Sequence, residues 1–246
     1  MAIYIIRYRI LIAVLLCMAV LHVSAQDDIR DLERHWAVNF QGNFSWQTIT
    51  RNETGDSPKT LGAGWRLTME YYLPHSQFSI TGGYDKEELG MFMSDITTEL
   101  HQLALGGRYY MLKPQSFIQP YVGAEAFTHF GAARSSGLNE RHQKLGPKEL
   151  VWTQQYDIRN PRFSFAPVVG ADIYFFSCVA FEIQYGFRMG TDSHFRVRTE
   201  RPVGGNVFMT ESKGMRHNLT MGVKVTFPFL FTRSDGNSLW EWIFPD

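Results

Sequence analysis

The chain has 246 residues, with 24 basic and 24 acidic side chains. That size allows one large all-β domain or two ordinary ones, and the even charge balance gives no electrostatic reason to bind nucleic acid. The first 25 residues differ in kind from the rest: Arg7 and Arg9 precede the apolar run ILIAVLLCMAVL, and Val23-Ser24-Ala25 places small residues where a signal peptidase reads them. The run is shorter than the roughly 20 apolar residues a transmembrane helix needs, and bulky Leu16 stands before Cys17 where a lipidation motif has a small residue. Residues 1–25 are therefore read as a cleaved signal peptide, and 26–34 as a short periplasmic segment. Cleavage removes Arg7 and Arg9, leaving 22 basic residues against 24 acidic, and retains only Cys178. Without an internal disulfide, the exported chain depends on packing and backbone pairing.

From residue 35 onward the dominant period is two, the period of strands. In WAVNFQGNFSW, Trp36, Val38, Phe40, Phe44 and Trp46 alternate with Asn39, Gln41, Asn43 and Ser45. In LGAGWRLTMEYY, Leu61 to Tyr71 on odd positions alternate with Gly62, Gly64, Arg66, Thr68 and Glu70. A third, shorter strand is expected over Phe78 to Tyr84 and a fourth near Thr98 to Tyr110, with Leu103, Leu105 and Tyr109 opposite Gln102 and Arg108. The fifth, Phe117 to Phe130, sets Ile118, Val122, Ala124 and Ala126 against Gln119, Tyr121, Gly123 and Glu125. Arg162 to Phe175 and Val179 to Met189 repeat the scheme, with Asp172, Glu182 and Arg188 on the polar side. The eighth, His217 to Phe227, sets Leu219, Met221, Val223, Val225 and Phe227 against Asn218, Thr220, Gly222 and Lys224. Connections alternate between short (73–77, 111–116 and the corner at Phe176-Ser177-Cys178) and long (48–60, 86–97, 131–161 and 190–216), as in an up-and-down sheet with tight turns at one end.

Such alternation suits a soluble barrel or sandwich with the apolar set inside, or a membrane barrel with it outside. The interior of eight strands is only just wide enough for side chains to fill, and Trp36, Phe40, Phe44, Trp46, Trp65, Phe163, Phe165, Phe181 and Phe187 are too bulky for it. The polar set carries seven interior glycines, Gly62 to Gly222, beside Arg66, Arg108, Arg188 and Lys224 and Glu70, Glu125, Asp172 and Glu182, four charges of each sign. Buried charges need such partners. A secreted sandwich would leave the aromatic set exposed without a reason. The expected fold is an all-β, eight-stranded antiparallel up-and-down transmembrane β-barrel over 35–231, polar inside and lipid-facing outside. Tyr71, Tyr72, Tyr109, Tyr110, Phe175 and Phe176 are expected to form the interfacial girdle at the short turns, with Trp46, Trp65, Phe130 and Phe163 toward the long loops.

The segments IQPYVGAEA (118–126), GADIYFF (170–176) and TMGVKVTF resemble the small eight-stranded outer-membrane barrel family, the OmpA/OmpX-type transmembrane domain. The last segment resembles the assembly signal of such barrels, carried here by Thr220, Gly222, Val225 and Phe227. The resemblance implies outer-membrane location, contact with membrane lipid, handling by the barrel-assembly machinery and a monomeric state. Unlike many members, the sequence continues past the last strand through TRSDGNSLWEWIFPD, a short aromatic tail (232–246) too brief for a cell-wall-binding domain.

Some barrels in this membrane are enzymes. Asp192-Ser193-His194 holds the residue types of a catalytic triad, but sequence neighbours do not converge on one reacting atom. His101 lacks the serine two residues on that a lipid-deacylating His-x-Ser pair needs, and His129 is read as a rim residue. The eight histidines show no metal-ligand spacing, and no cofactor is expected. The long loops remain. The third mixes Arg141, Lys144, Trp152 and Tyr156 into a candidate docking surface for an extracellular protein or glycan, and the fourth reads as a hairpin around Pro202-Val203-Gly204-Gly205. The sequence thus favours a non-enzymatic barrel with a plugged lumen, serving surface interaction or envelope integrity, over a lipid-modifying enzyme or a narrow channel.

Overall fold

The computed structural model describes residues 34–53, 61–90, 96–112, 116–145, 148–200 and 207–227. The expected signal peptide, nearly all of 26–34, the tip of the fourth loop and the 232–246 tail lie outside them. Eleven strands occur among the described residues: β1 (Trp36–Asn52), β2 (Leu61–Tyr72), β3 (Phe78–Gly90), β4 (Thr97–Tyr110), β5 (Ile118–His129), β6 (Arg134–Leu145), β7 (Lys148–Arg159), β8 (Phe163–Phe176), β9 (Val179–Gly190), β10 (His194–Glu200) and β11 (Val207–Phe227). Eight of them form the closed ring β1-β2-β3-β4-β5-β8-β9-β11, every pair antiparallel, and β11 closes it by pairing again with β1. This is the all-β, eight-stranded antiparallel barrel that the alternation predicts.

Closure runs without interruption from Trp36↔Phe227 to Trp46↔His217. The described chain enters and leaves at the tight-turn end, where the His35 amide donates to the Phe227 carbonyl at 3.0 Å. A closed ring leaves no wall strand with an unpaired edge, which is what lipid demands of backbone polar groups.

The long connections differ from the loops expected of them. β1 continues to Asn52, and β3 runs past Tyr84 to Gly90, so that Asp85 and Glu87 sit on a strand. The third loop is a β-hairpin, β6–β7, in register from Arg134↔Arg159 to Leu145↔Lys148. The fourth is the hairpin its sequence suggests, with β10 pairing Val207 to Ser212 of β11, and it also pairs with β7 from His194↔Arg159 to Glu200↔Thr153. These connections together continue the barrel wall outward as the sheet β1-β11-β10-β7-β6. Polar residues on both faces of β6 carry no period-two signal, whereas β7 does alternate, Leu150, Trp152, Tyr156 and Ile158 against Thr153, Gln155, Asp157 and Arg159, a signal the loop reading leaves aside.

Where wall becomes extension, β11 holds two extra residues against β1, between Gln47↔Arg216 and Ile49↔Ser212. Gly214 takes φ 70° at this bulge, and a β-carbon there would collide with the Ser193 side chain. Ile158, Phe195 and Val197 of the extension pack with Ile96, just before β4, and Tyr156 lies against them. The inner face of the extension therefore leans across the mouth toward β4.

Gly222 sits where the ring closes, between Gln41 of β1 and Glu182 of β9. A β-carbon on it would run into the Phe40 carbonyl oxygen. Gly222→Asp should therefore block closure, and Phe227→Lys, which charges the lipid-facing end of the same strand, should block insertion. Fractionation of cells is expected to show both variants missing from the outer membrane, and wild-type levels of inserted, protease-protected protein in both would contradict this.

Candidate functional site

The wall is inverted relative to a soluble protein. Phe40 is 60% exposed and Leu105 64%, and Trp36, Phe44, Trp65, Phe163 and Phe165 also face outward, while Asn39, Gln41, Asn43, Ser45, Thr68 and Gln102 are buried. In water this would be a single apolar patch around the whole molecule; in lipid it is the required solvent contact. Trp36–Tyr71 at 4.6 Å and Phe78–Tyr109 at 5.0 Å form the girdle at the tight-turn end. Tyr72 and Tyr110, expected there too, are on the other phase. Tyr110 is buried in the lumen, and the Tyr72 ring lies 5.8 Å from it. Adjacent tyrosines on a strand point to opposite faces, so only one of each pair can reach the interface. Toward the loops, the Tyr84 and Tyr185 hydroxyls each lie 2.6 Å from the Nδ1 of a histidine, His101 and His217, and His217 stacks on Trp46 at 5.4 Å.

Inside, charge pairs are arranged in three tiers. Nearest the tight turns, Lys224 Nζ lies 2.5 Å from Asp172, 2.8 Å from Glu70 and 3.3 Å from Glu182. Arg108 bridges Glu70 at 3.1 Å and Glu182 at 2.7 Å and lies 4.5 Å above the Tyr121 ring. The Tyr121 hydroxyl donates to Glu182 at 2.7 Å, Ser79 donates to Glu70 at 2.5 Å, and Tyr110 accepts from Lys224 at 3.0 Å. In the middle tier Arg66 holds Glu125 with a two-pronged grip of 2.9 and 2.8 Å, and Gln184 donates to the same carboxylate at 3.2 Å. At the outer tier Arg188 reaches Asp85 at 2.5 Å and Glu87 at 2.9 Å, while Arg216 Nε donates to Glu87 at 2.9 Å. Phe127 lies between tiers, its centroid 4.1 Å from the Arg188 guanidinium carbon and 5.6 Å from that of Arg66.

All eight charges placed in the lumen by phase are buried there. The tally of four per sign is corrected by three residues from segments read as weak strand or loop: Asp85, Glu87 and Arg216, which bring the described lumen to five cations and six carboxylates. Phase carried past Tyr84 and back from His217 would have found them. Glu182 and Arg188, which share a strand and a phase, are not each other's partners. Glu182 pairs with Arg108 and Lys224, and Arg188 takes the β3 carboxylates instead. Spacing along one strand cannot reveal pairing across a barrel. Tyr121 fills space over Gly170, where a β-carbon would come within 2.5 Å of its Cζ.

Of the segment resembling an assembly signal, Thr220 and Gly222 lie on the lumen phase, and Val225 and Phe227 on the lipid phase. The four third-loop candidates do not share one face. Register pairs Arg141 with Trp152 on the face that carries Tyr156 and Ile158, and Lys144 with Glu149 on the opposite face. Tyr156 packs inward against the Ile158 cluster. The side chains of Arg141 and Lys144 lie outside the described residues.

No triad forms at Asp192-Ser193-His194: Asp192 pairs with Arg159, His194 Nε2 lies 3.1 Å from Asp157, and Ser193 Oγ abuts Gly214. His129 Nδ1 lies 2.9 Å from the His101 carbonyl, its other nitrogen 3.4 Å from that of Ala132. Among the described residues no three acidic, histidine or cysteine side chains cluster as a metal site would.

Removing one carboxylate from a buried network leaves its cations under-compensated, so Glu182→Ala, which takes one partner from each of Arg108 and Lys224, should cost about 3 to 5 kcal/mol, and Glu87→Ala, which leaves Arg188 with Asp85 and Arg216 with no carboxylate among the described residues, at least as much. Ile183→Ala, one residue on and facing lipid, should cost much less because lipid fills the space. The midpoint of the heat-induced gel shift measures this; a larger loss from Ile183→Ala than from either glutamate would mean that the faces are reversed.

No protein-family model matches the sequence, and no curated protein matches it. Among solved structures it is similar to Neisserial surface protein A, at 15% identity over 78% of this chain and 97% of that one, with a TM-score of 0.43. The outer membrane protein OprG from Pseudomonas aeruginosa is 14% identical over 81% of this chain and 99% of that one, with a TM-score of 0.39. The N-terminal β-barrel domain of OprF from the same organism is 10% identical over 76% of this chain and 99% of that one, at 0.35. What places the chain is its own geometry: a closed ring, an apolar outer wall, a polar lumen and aromatic belts, an arrangement stable only across a bilayer and typical of the bacterial outer membrane. The chain is a small, eight-stranded outer-membrane β-barrel protein.

Proposed function

We propose that the protein works as a closed barrel that carries a surface-interaction sheet, and that neither conduction nor catalysis is its task. The observation that carries this reading is the edge of β6. The barrel itself has no unpaired strand, yet its outward continuation ends on β6, which pairs with β7 alone among the described residues and leaves one side of its backbone without a strand partner. An extended segment of a partner protein can add to such an edge through main-chain hydrogen bonds. β6 reads RSSGLNERHQKL, polar enough to stay soluble, with Leu138 72% exposed. Charges of this kind keep a free edge from pairing indiscriminately.

Two features support the closed barrel. Arg66, Arg108, Arg188, Arg216 and Lys224 are all essentially inaccessible and engaged across the lumen, which leaves large side chains where a pore would need water. The residues that would act as base and orienting acid at the rim are committed elsewhere, His194 to Asp157 and Asp192 to Arg159.

In planar bilayers the purified protein is expected to give no stepwise conductance; regular single-channel steps would favour the narrow channel instead. Shortening the third loop between Ser135 and Tyr156 should leave the heat-shift midpoint of the barrel nearly unchanged, because the hairpin lies outside the ring and loop length costs little. A photo-crosslinker at Leu138 in intact cells should capture a protein partner, and Glu140→Pro, which removes a backbone amide on the side of β6 turned away from β7, should abolish the capture. The edge-pairing reading fails if capture is absent or if the proline leaves it unchanged.

A further inference from the structure

Where the extension meets the wall, its outward face holds two arginines and a histidine that the barrel does not use. Register places Arg134 of β6, Arg159 of β7 and His194 of β10 side by side across three strands. Adjacent strands lie about 4.8 Å apart, and like charges directly opposite one another destabilise a sheet. Two carboxylates offset part of that cost. Asp157 sits 3.0 Å from Arg134 Nε and 3.1 Å from His194 Nε2, and Asp192 pairs with Arg159. The hydrogen bond from Arg134 holds the Asp157 carboxyl below its ordinary range, so it stays ionised. Arg162, just before β8, has no hydrogen-bond or ion-pair partner for its side chain among the described residues, and it is exposed.

These groups line an open cavity of about 760 Å³, bounded by Arg134, Arg159, Arg162, Thr191, Asp192 and His194. The cavity stands directly above lipid. Phe163 follows Arg162 on the wall, its carbonyl accepts from the Thr191 hydroxyl at 3.0 Å, and Phe163, Phe165 and Met189 face outward beneath. A ligand held here would have its anionic part among guanidinium groups and its apolar part against an aromatic wall.

We propose that this cavity binds the phosphate of an outer-leaflet phosphorylated glycolipid, with Arg162 and Arg159 as the principal donors. Arginine's planar fork matches a phosphate, and such charge-assisted bonds are among the stronger ones. Asp192 competes with the phosphate for Arg159 and acts as the internal counter-ion of the empty site. The proposal depends on the outer-membrane placement and is independent of pairing at the β6 edge.

The test uses the full chain folded in neutral detergent and bisphosphorylated lipid A as the probe, with bound lipid counted by native mass spectrometry across a titration. Arg162→Gln and Arg159→Gln should each weaken retention by roughly tenfold or more. Asp192→Asn should tighten it, an outcome that mere structural damage would not produce. All three variants should keep their wild-type heat-shift midpoint in neutral detergent, since these side chains lie outside the lumen network. Equal retention by wild type and both arginine variants would overturn the proposal. So would equal retention of lipid A stripped of its phosphates, which would reduce the contact to acyl chains. Binding of inorganic phosphate alone as tightly as lipid A would overturn the assignment to a lipid.

Discussion

An eight-stranded ring is too narrow to take in its full apolar set and too dry to leave a charge alone, and most of this structure answers to that pair of limits. The tiers that neutralise the lumen join strands far apart around the ring: Arg66 of β2 grips Glu125 of β5, Arg188 of β9 and Arg216 of β11 converge on Glu87 of β3, and Arg108 of β4 reaches Glu182 of β9. Strand number and hydrogen-bond register set the ring and its diameter. Contacts across the bore add ties between its walls and fill the interior with charged side chains.

The same limits explain why the exterior needs so few specific contacts. Lipid accepts any apolar outline, so the outward residues can be large and irregular, and only the two interfaces ask for particular chemistry. There the polar ends of aromatic side chains meet histidine, as Tyr84 meets His101 and Tyr185 meets His217. The lumen has no comparable freedom. Tyr121 fits because Gly170 has no side chain beneath it, and it then serves both as a hydrogen-bond donor to Glu182 and as an aromatic face for Arg108.

Alternation made the barrel legible in the sequence wherever one face was apolar. Strands such as Trp36 to Trp46 or Val179 to Met189 sort into two chemically distinct sets, and the polar set marks the face turned to the lumen. The signal failed where both faces are polar. β6 stands above the bilayer, where no lipid imposes an apolar phase on it, and it resembles a loop until its pairing with β7 is seen; β7 and β10 keep one apolar face through Ile158, Phe195 and Val197. Asp85 and Glu87 were lost at the same boundary, because Lys86 and Glu88 fill the alternate positions there and erase the contrast. Pairing across the bore was invisible for a different reason: Glu182 and Arg188 share a strand and a phase, yet each is held by residues remote in sequence.

This division of labour leaves the rim as the part of the protein free to vary. A lumen whose ion pairs tie the ring together has little room for change, since each loss unbalances a shared network. The extension is under no such constraint. It joins the wall through the β11 bulge at Gly214 and a small apolar cluster around Ile158 and Phe195, and beyond these its outward face can carry unneutralised charge without threatening the barrel. Arg162 is a case in point: a lone cation costs little in a solvated cavity, whereas the same guanidinium two tiers down would need a carboxylate of its own. Unpaired charge on this protein is therefore informative about ligands only above the lipid, which is where the row of Arg134, Arg159 and His194 and the free strand edge both occur.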